Sequence, residues 1–118
     1  MTHPVMWFEV LGTDGARLQK FYSGLFGWTF DVIEPIKYGV TNTKQARGIP
    51  GGIGQTFPGT RSWVTFYVET PDVTASLGEA VKLGGRIVMA RTVMPEVVLG
   101  VFEDPEGHVV GLVEKKAA

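Results

Sequence analysis

The sequence predicts an α+β domain built from two tandem βαβββ modules, and three observations predict it. Residues 13–28, TDGARLQKFYSGLFGW, place Leu18, Phe21, Tyr22, Leu25 and Phe26 at i, i+3, i+4, i+7 and i+8. That spacing lines one face of a helix with large apolar groups, and such a face needs a sheet to cover. The flanking stretches, WFEV before and GWTFDV after, read as strands. Finally, a shift of 58 residues lays Val10 on Val68, Asp14 on Asp72, Leu25 on Leu83 and Gly27 on Gly85. A shift of 59 lays Gly48 on Gly107 and Gly52 on Gly111, so one strand–helix–strand unit is used twice.

Taken in order, strands are expected near 4–11, 28–33, 37–42 and 49–55, then near 62–69, 86–90, 97–103 and 108–114. The first helix starts at Thr13 or Asp14, whose side chain can accept from the first free N–H groups, and stops at Gly27. The second helix, about 72–84, has Asp72 as its cap, Gly84–Gly85 as its stop, and Val73, Leu77, Ala80, Val81 and Gly84 on one face. Glu34–Pro35, Pro58–Gly59, Met94–Pro95 and Asp104–Pro105 mark loops. The whole chain, 1–118, is read as one domain, with a first module over about 1–56 and a second over about 60–115.

Strand alternation then assigns faces. Met6, Phe8 and Val10 suit a helix-covered core, which leaves Val5, Trp7, Glu9 and Leu11 on the other side. In the fifth strand Val64, Phe66 and Val68 repeat the core face, and Trp63, Thr65, Tyr67 and Glu69 point away. In the last strand Val110 and Leu112 are core, with Val109, Gly111 and Val113 opposite.

Composition excludes several classes. With 44% hydrophobic and 19% charged residues the chain is ordinary for a globular protein. Eleven basic residues against twelve acidic ones offer no basic surface for nucleic acid. The absence of cysteine removes disulfides, thiolate nucleophiles and cysteine zinc sites. No apolar run reaches the ~18 residues of a membrane span, so no membrane partner and a cytoplasmic location are expected. The string GGIG at 51–54 lacks the spacing and following helix of a phosphate loop, and Ser23 and Ser62 have no histidine partner for a hydrolase triad.

FYSGLFGW at 21–28, YVETPDV at 67–73, LGG at 83–85 and FEDPEGHVVGLVE at 102–114 together resemble the glyoxalase/bleomycin-resistance/extradiol dioxygenase family, the vicinal oxygen chelate superfamily. The resemblance spans nearly the whole chain. It implies paired βαβββ modules whose mixed sheet curls into an open cup, and commonly a homodimer. Members include lyases, dioxygenases, epimerases, transferases and metal-free antibiotic-binding proteins, so the fold leaves the function open. In metal-using relatives four inward positions carry His, Gln or Glu. Those positions correspond here to Trp7, Gly52, Thr65 and Gly111, and none is a normal metal ligand. A degenerate site with no metal and no other cofactor is therefore expected, and lactoylglutathione lyase activity is not; a divalent metal held elsewhere stays open.

The inward face expected from alternation and the resemblance holds Trp7, Glu9, Trp63, Thr65, Tyr67, Val109, Gly111 and Val113, an aromatic wall with a few polar groups. Gly52 and Gly111, lacking side chains, would leave room for a planar molecule. Glu9, a carboxylate among apolar groups, is a candidate general base for a proton beside a carbonyl, and Tyr67, its counterpart in the second module, a candidate oxyanion donor. Against this, Glu9 would bond a backbone N–H or an arginine such as Arg47, or face water. His3 and His108 read as surface residues, and Glu103, Asp104 and Glu106 as a solvated turn in which Asp104 caps its own backbone. Three functions follow: a metal-free binder of a hydrophobic or aromatic small molecule; an enzyme, either metal-free with Glu9 as base or metal-dependent; or an interaction module whose cup is filled by its own side chains or a partner.

Overall fold

The computed structural model describes residues 2–41, 47–56 and 61–116, which leaves the expected Pro58–Gly59 loop outside the described residues. Ten elements follow the predicted order: β1 (Val5–Gly12), α1 (Gly15–Phe26), β2 (Phe30–Ile33), β3 (Tyr38–Thr41), β4 (Gly51–Gln55), β5 (Trp63–Thr70), α2 (Val73–Lys82), β6 (Arg86–Val93), β7 (Val98–Glu103) and β8 (Val109–Glu114). This is βαβββ twice, an α+β fold. The chain divides into two compact units, one of Trp7–Val64 and one of Met1–Met6 with Thr65–Ala118.

In the first of these units the strand order is β2-β3-β4-β1. β1 runs parallel to β4, with Glu9 opposite Gly52, while β3 is antiparallel to both β4 and β2. Asp14 caps α1 by accepting from Arg17 N at 3.0 Å, and Gly27 ends it at φ +73°, a conformation that suits glycine. In the other unit the order is β5-β8-β7-β6, with β5 parallel to β8 and the remaining pairs antiparallel. There Asp72 caps α2 through Ala75 N, and Val73, Leu77 and Leu112 form a core against which Val68 and Phe102 pack. Glu114 reaches from β8 to accept from Val73 N at 3.1 Å and from Arg91 through two bonds, which hold its carboxyl down at about 2.

Four expectations need correction. The large apolar stripe of α1 does not cover the sheet, since Phe21, Leu25 and Phe26 are each more than half exposed. The residues α1 buries are Gly15 and Gln19. The reason is close approach: a Cβ on Gly15 would lie 2.7 Å from Gln55 N, so only glycine lets the helix sit this near β4. The aromatic groups pack on one another instead, with the Tyr22 ring stacked on Trp28 and Phe26 and Phe8 tilted against it.

The second correction concerns β1 and β5. Their alternation is as expected, and Val68 packs on the α2 core as expected, but most of the burial falls on the other face: Met6, Val64 and Phe66 are exposed, whereas Glu9, Leu11, Trp63, Thr65 and Tyr67 are buried. The helices explain it, because α1 lies mainly over β3 and β4, and α2 mainly over β6, β7 and β8, and they reach the first strand of each module only toward its end, at Gly12 and Val68. Third, Val81 of α2 is exposed, since Val73 and Leu77 carry that helix's burial. Fourth, Glu103 does not belong to a solvated turn. It is buried on β7 and accepts from Arg86 Nη2 at 2.7 Å.

Candidate functional site

Glu9 is 5% exposed, midway along β1 on the face turned away from α1. A carboxylate cannot be buried cheaply without donors, and two neutral side-chain donors among the described residues reach it. Trp63 Nε1, at the start of β5, donates to Oε1 at 2.8 Å, and the Tyr38 hydroxyl, at the start of β3, donates to Oε2 at 2.8 Å. Trp7, two residues before Glu9 and on the same face, donates its Nε1 to the Tyr38 oxygen at 2.9 Å. The result is a chain from Trp7 through Tyr38 to Glu9, closed on the other side by Trp63. Burial, reinforced by the neighbouring Glu9 charge, pushes the Tyr38 phenol well above its ordinary range, so it remains a donor.

Each polar atom of the three aromatic side chains is engaged, which fixes the planes of the rings. Tyr38 is the residue that sequence reasoning missed. Its signal was the register of β3: Val40 pairs with Gly52, Gly52 pairs with Glu9, and Tyr38 shares the face of Val40 two residues away. The expected open space at Gly52 is taken by this ring, since a Cβ there would overlap the Tyr38 hydroxyl. Gly111 behaves alike. It pairs with Tyr67 across β5 and β8, and a Cβ on it would run into the Tyr67 ring. The glycines accommodate the chain's own tyrosines rather than leaving a slot.

Behind Tyr38, on the helix side of the sheet, the buried Gln19 amide donates to Ile53 O at 2.7 Å and to Lys37 O at 3.1 Å.

Other predicted residues fall as follows. Thr65 is buried and donates its hydroxyl to Val109 O. Val113 lies opposite Glu69 on one side and Leu99 on the other, and contributes to a cleft of about 310 Å³ with Met94, Val97, Val98 and Lys115. His3 is exposed. His108 is exposed with Nδ1 2.9 Å from Asp104 Oδ2; Asp104 also accepts from the backbone N–H groups of His108 and Glu106, and these bonds, the His108 N–H foremost, hold its carboxyl below the usual range. Among the described residues no group of three or more His, Cys, Asp or Glu side chains is placed to hold a metal ion, and no helix is long and apolar enough to cross a membrane.

The family model of the glyoxalase-like domain matches residues 8–113. The anthracycline biosynthesis protein DnrV of Streptomyces peucetius is 31% identical over 120 residues, covering 86% of this chain and 43% of that protein. DauV of Streptomyces sp. strain C5, also an anthracycline biosynthesis protein, gives the same identity and coverage. The chain thus spans less than half the length of these curated relatives. Among solved structures, methylmalonyl-CoA epimerase of Mycobacterium tuberculosis superposes with a TM-score of 0.67 at 13% identity, over 96% of this chain and 88% of that one. A glyoxalase/bleomycin resistance protein/dioxygenase superfamily member of Vibrio splendidus gives 0.64 at 15% identity, over 97% of this chain and all of that one. At those identities the structures speak for the fold alone, while the match over residues 8–113 speaks for the family: the chain belongs to the glyoxalase-like domain family of the vicinal oxygen chelate superfamily.

Proposed function

We propose that this chain binds a hydrophobic or aromatic small molecule against the Trp7, Tyr38 and Trp63 wall, around Glu9, without a divalent metal. The observation that carries the reading is the set of bonds that fixes Tyr38 and Trp63 on one buried carboxylate and Trp7 on Tyr38. Rings held in place before a ligand arrives lose little freedom on binding it, and Trp7 and Tyr38, only half-buried, keep ring surface open to apolar contact. A metal does not fit the family's ligand positions here. Trp7 has only an N–H, already donated to Tyr38, Gly52 and Gly111 have no side chain, and the Thr65 hydroxyl is bonded to Val109 O. The anthracycline biosynthesis relatives favour a polycyclic aromatic compound as the first probe.

The test is a thermal-shift screen of aromatic metabolites and antibiotics, an anthracycline included, with calorimetry on each hit. One-to-one binding is expected, with Kd raised about tenfold or more in Trp63→Phe, the loss of part of the indole surface and of its bond to Glu9 being worth about 1.4 kcal/mol or more. Failure of every compound to bind, or binding indifferent to Trp63→Phe and Trp7→Phe alike, contradicts the proposal.

One observation favours a second reading, catalysis: a buried carboxylate with a phenol hydroxyl at 2.8 Å is a unit able to take and return a proton. Glu9 would then abstract a proton from carbon beside a carbonyl. Should a substrate be found, undiminished turnover by Glu9→Gln ends that reading.

A further inference from the structure

We infer that Gln19, on the far side of the sheet from Glu9, is the positioning residue that sets Tyr38 in the site. The inference rests on the reading of Glu9 and Tyr38 as the site's polar centre and on no ligand. Gln19 is a buried polar residue in the middle of α1, where the apolar stripe of that helix would have predicted none. Its amide spends both hydrogens on main-chain carbonyls, Ile53 O of β4 and Lys37 O in the turn entering β3. Gly39 makes the reach possible: a Cβ on it would lie 2.8 Å from Gln19 Nε2, so any side chain there would push the amide off its partners.

The carbonyl that Gln19 holds belongs to a strained residue. Lys37 has φ +59°, a left-handed conformation that non-glycine residues rarely adopt and that persists only where surroundings enforce it. Tyr38 is the next residue. The orientation of the Lys37–Tyr38 peptide decides where β3 begins and hence whether the Tyr38 hydroxyl arrives at Glu9 and at Trp7 Nε1. Gly54 completes the clamp from β4, since a Cβ on it would sit 2.9 Å from Tyr38 Cα and 3.1 Å from Lys37 O. An apolar residue at 19 would keep the packing and release the carbonyl, freeing the turn to relax to a right-handed conformation and Tyr38 to leave Glu9.

The chain has three tyrosines, so subtracting a Tyr38→Phe titration from that of the parent isolates the Tyr38 phenol. Phenolate absorbance is followed to about pH 11, where an ordinary phenol is about 90% ionised, with far-ultraviolet circular dichroism confirming the fold. The wild-type protein is expected to show no Tyr38 phenolate over this range, and Gln19→Leu to show a Tyr38 step within it while still folded, the same construction of difference being made with Gln19→Leu/Tyr38→Phe. A residue that merely stabilises the module would lower the melting temperature and leave the Tyr38 titration unmoved. Silence of Tyr38 in folded Gln19→Leu overturns the assignment. Gln19→Met, unbranched and equally without a donor, is measured in parallel; loss of the fold in both variants would mean that Gln19 holds the whole module, and overturns it too. Because no ligand enters, the result stands whether or not the binding proposal survives.

Discussion

Glu9 shows how a single buried carboxylate organises its surroundings. Its two recorded neutral donors come from β3 and from the start of β5, some thirty and fifty residues away in the chain. Removing the Tyr38 hydroxyl leaves Glu9 without one of them, and Tyr38→Phe should cost about 1–3 kcal/mol of stability at neutral pH. The same residue sets a pH dependence. The Tyr38 phenol is raised in the folded protein, so above the unfolded phenol value of about 10 the unfolded chain releases a proton that the folded chain keeps. Stability associated with Tyr38 is therefore complete below about pH 10 and falls as pH rises beyond it, by up to about 1.4 kcal/mol per pH unit. Urea unfolding of wild type and Tyr38→Phe at a series of alkaline pH values checks this: the gap between the two should narrow above about pH 10, and a constant gap contradicts it.

At the scale of elements, what was legible in the sequence was order, caps and alternation. Asp14, Asp72 and Gly27 act where local chemistry places them, because capping depends on a few neighbouring atoms. What was illegible was the face of α1. The stripe rule assumes that the bulkiest face is the buried one, but Gly15 and Gln19 allow a closer and more specific contact with β4 than phenylalanine would. The position of Tyr38 was hidden for a related reason, because it depends on the β1–β4–β3 register, which connects residues distant in sequence. The stripe left outside, Phe21, Leu25 and Phe26, is large for a free surface. Packed against its own counterpart about a two-fold axis it would cover those side chains, and on that ground we propose a homodimer. Sedimentation equilibrium is expected to give twice the chain mass, and Leu25→Glu to shift it to one chain; a monomeric wild type contradicts the proposal.

For the whole molecule, the repeat of the sequence is the repeat of the structure, and each module treats its family metal positions in a comparable way. In one, Tyr38 lies over Gly52 and takes the Trp7 N–H; in the other, Tyr67 lies over Gly111 and Thr65 bonds Val109. Identity of the residues at those positions was readable beforehand, but the tyrosines that fill them were not, since a glycine in a sequence does not say which ring will cover it. We propose that this fold has exchanged metal donors for an aromatic network centred on Glu9. The most direct measurement is elemental mass spectrometry of the untagged protein, purified without chelators, before and after incubation with nickel, zinc, iron and manganese salts and desalting. No metal is expected to be retained near one equivalent per chain under either condition; a near-stoichiometric ion that survives desalting would contradict the proposal.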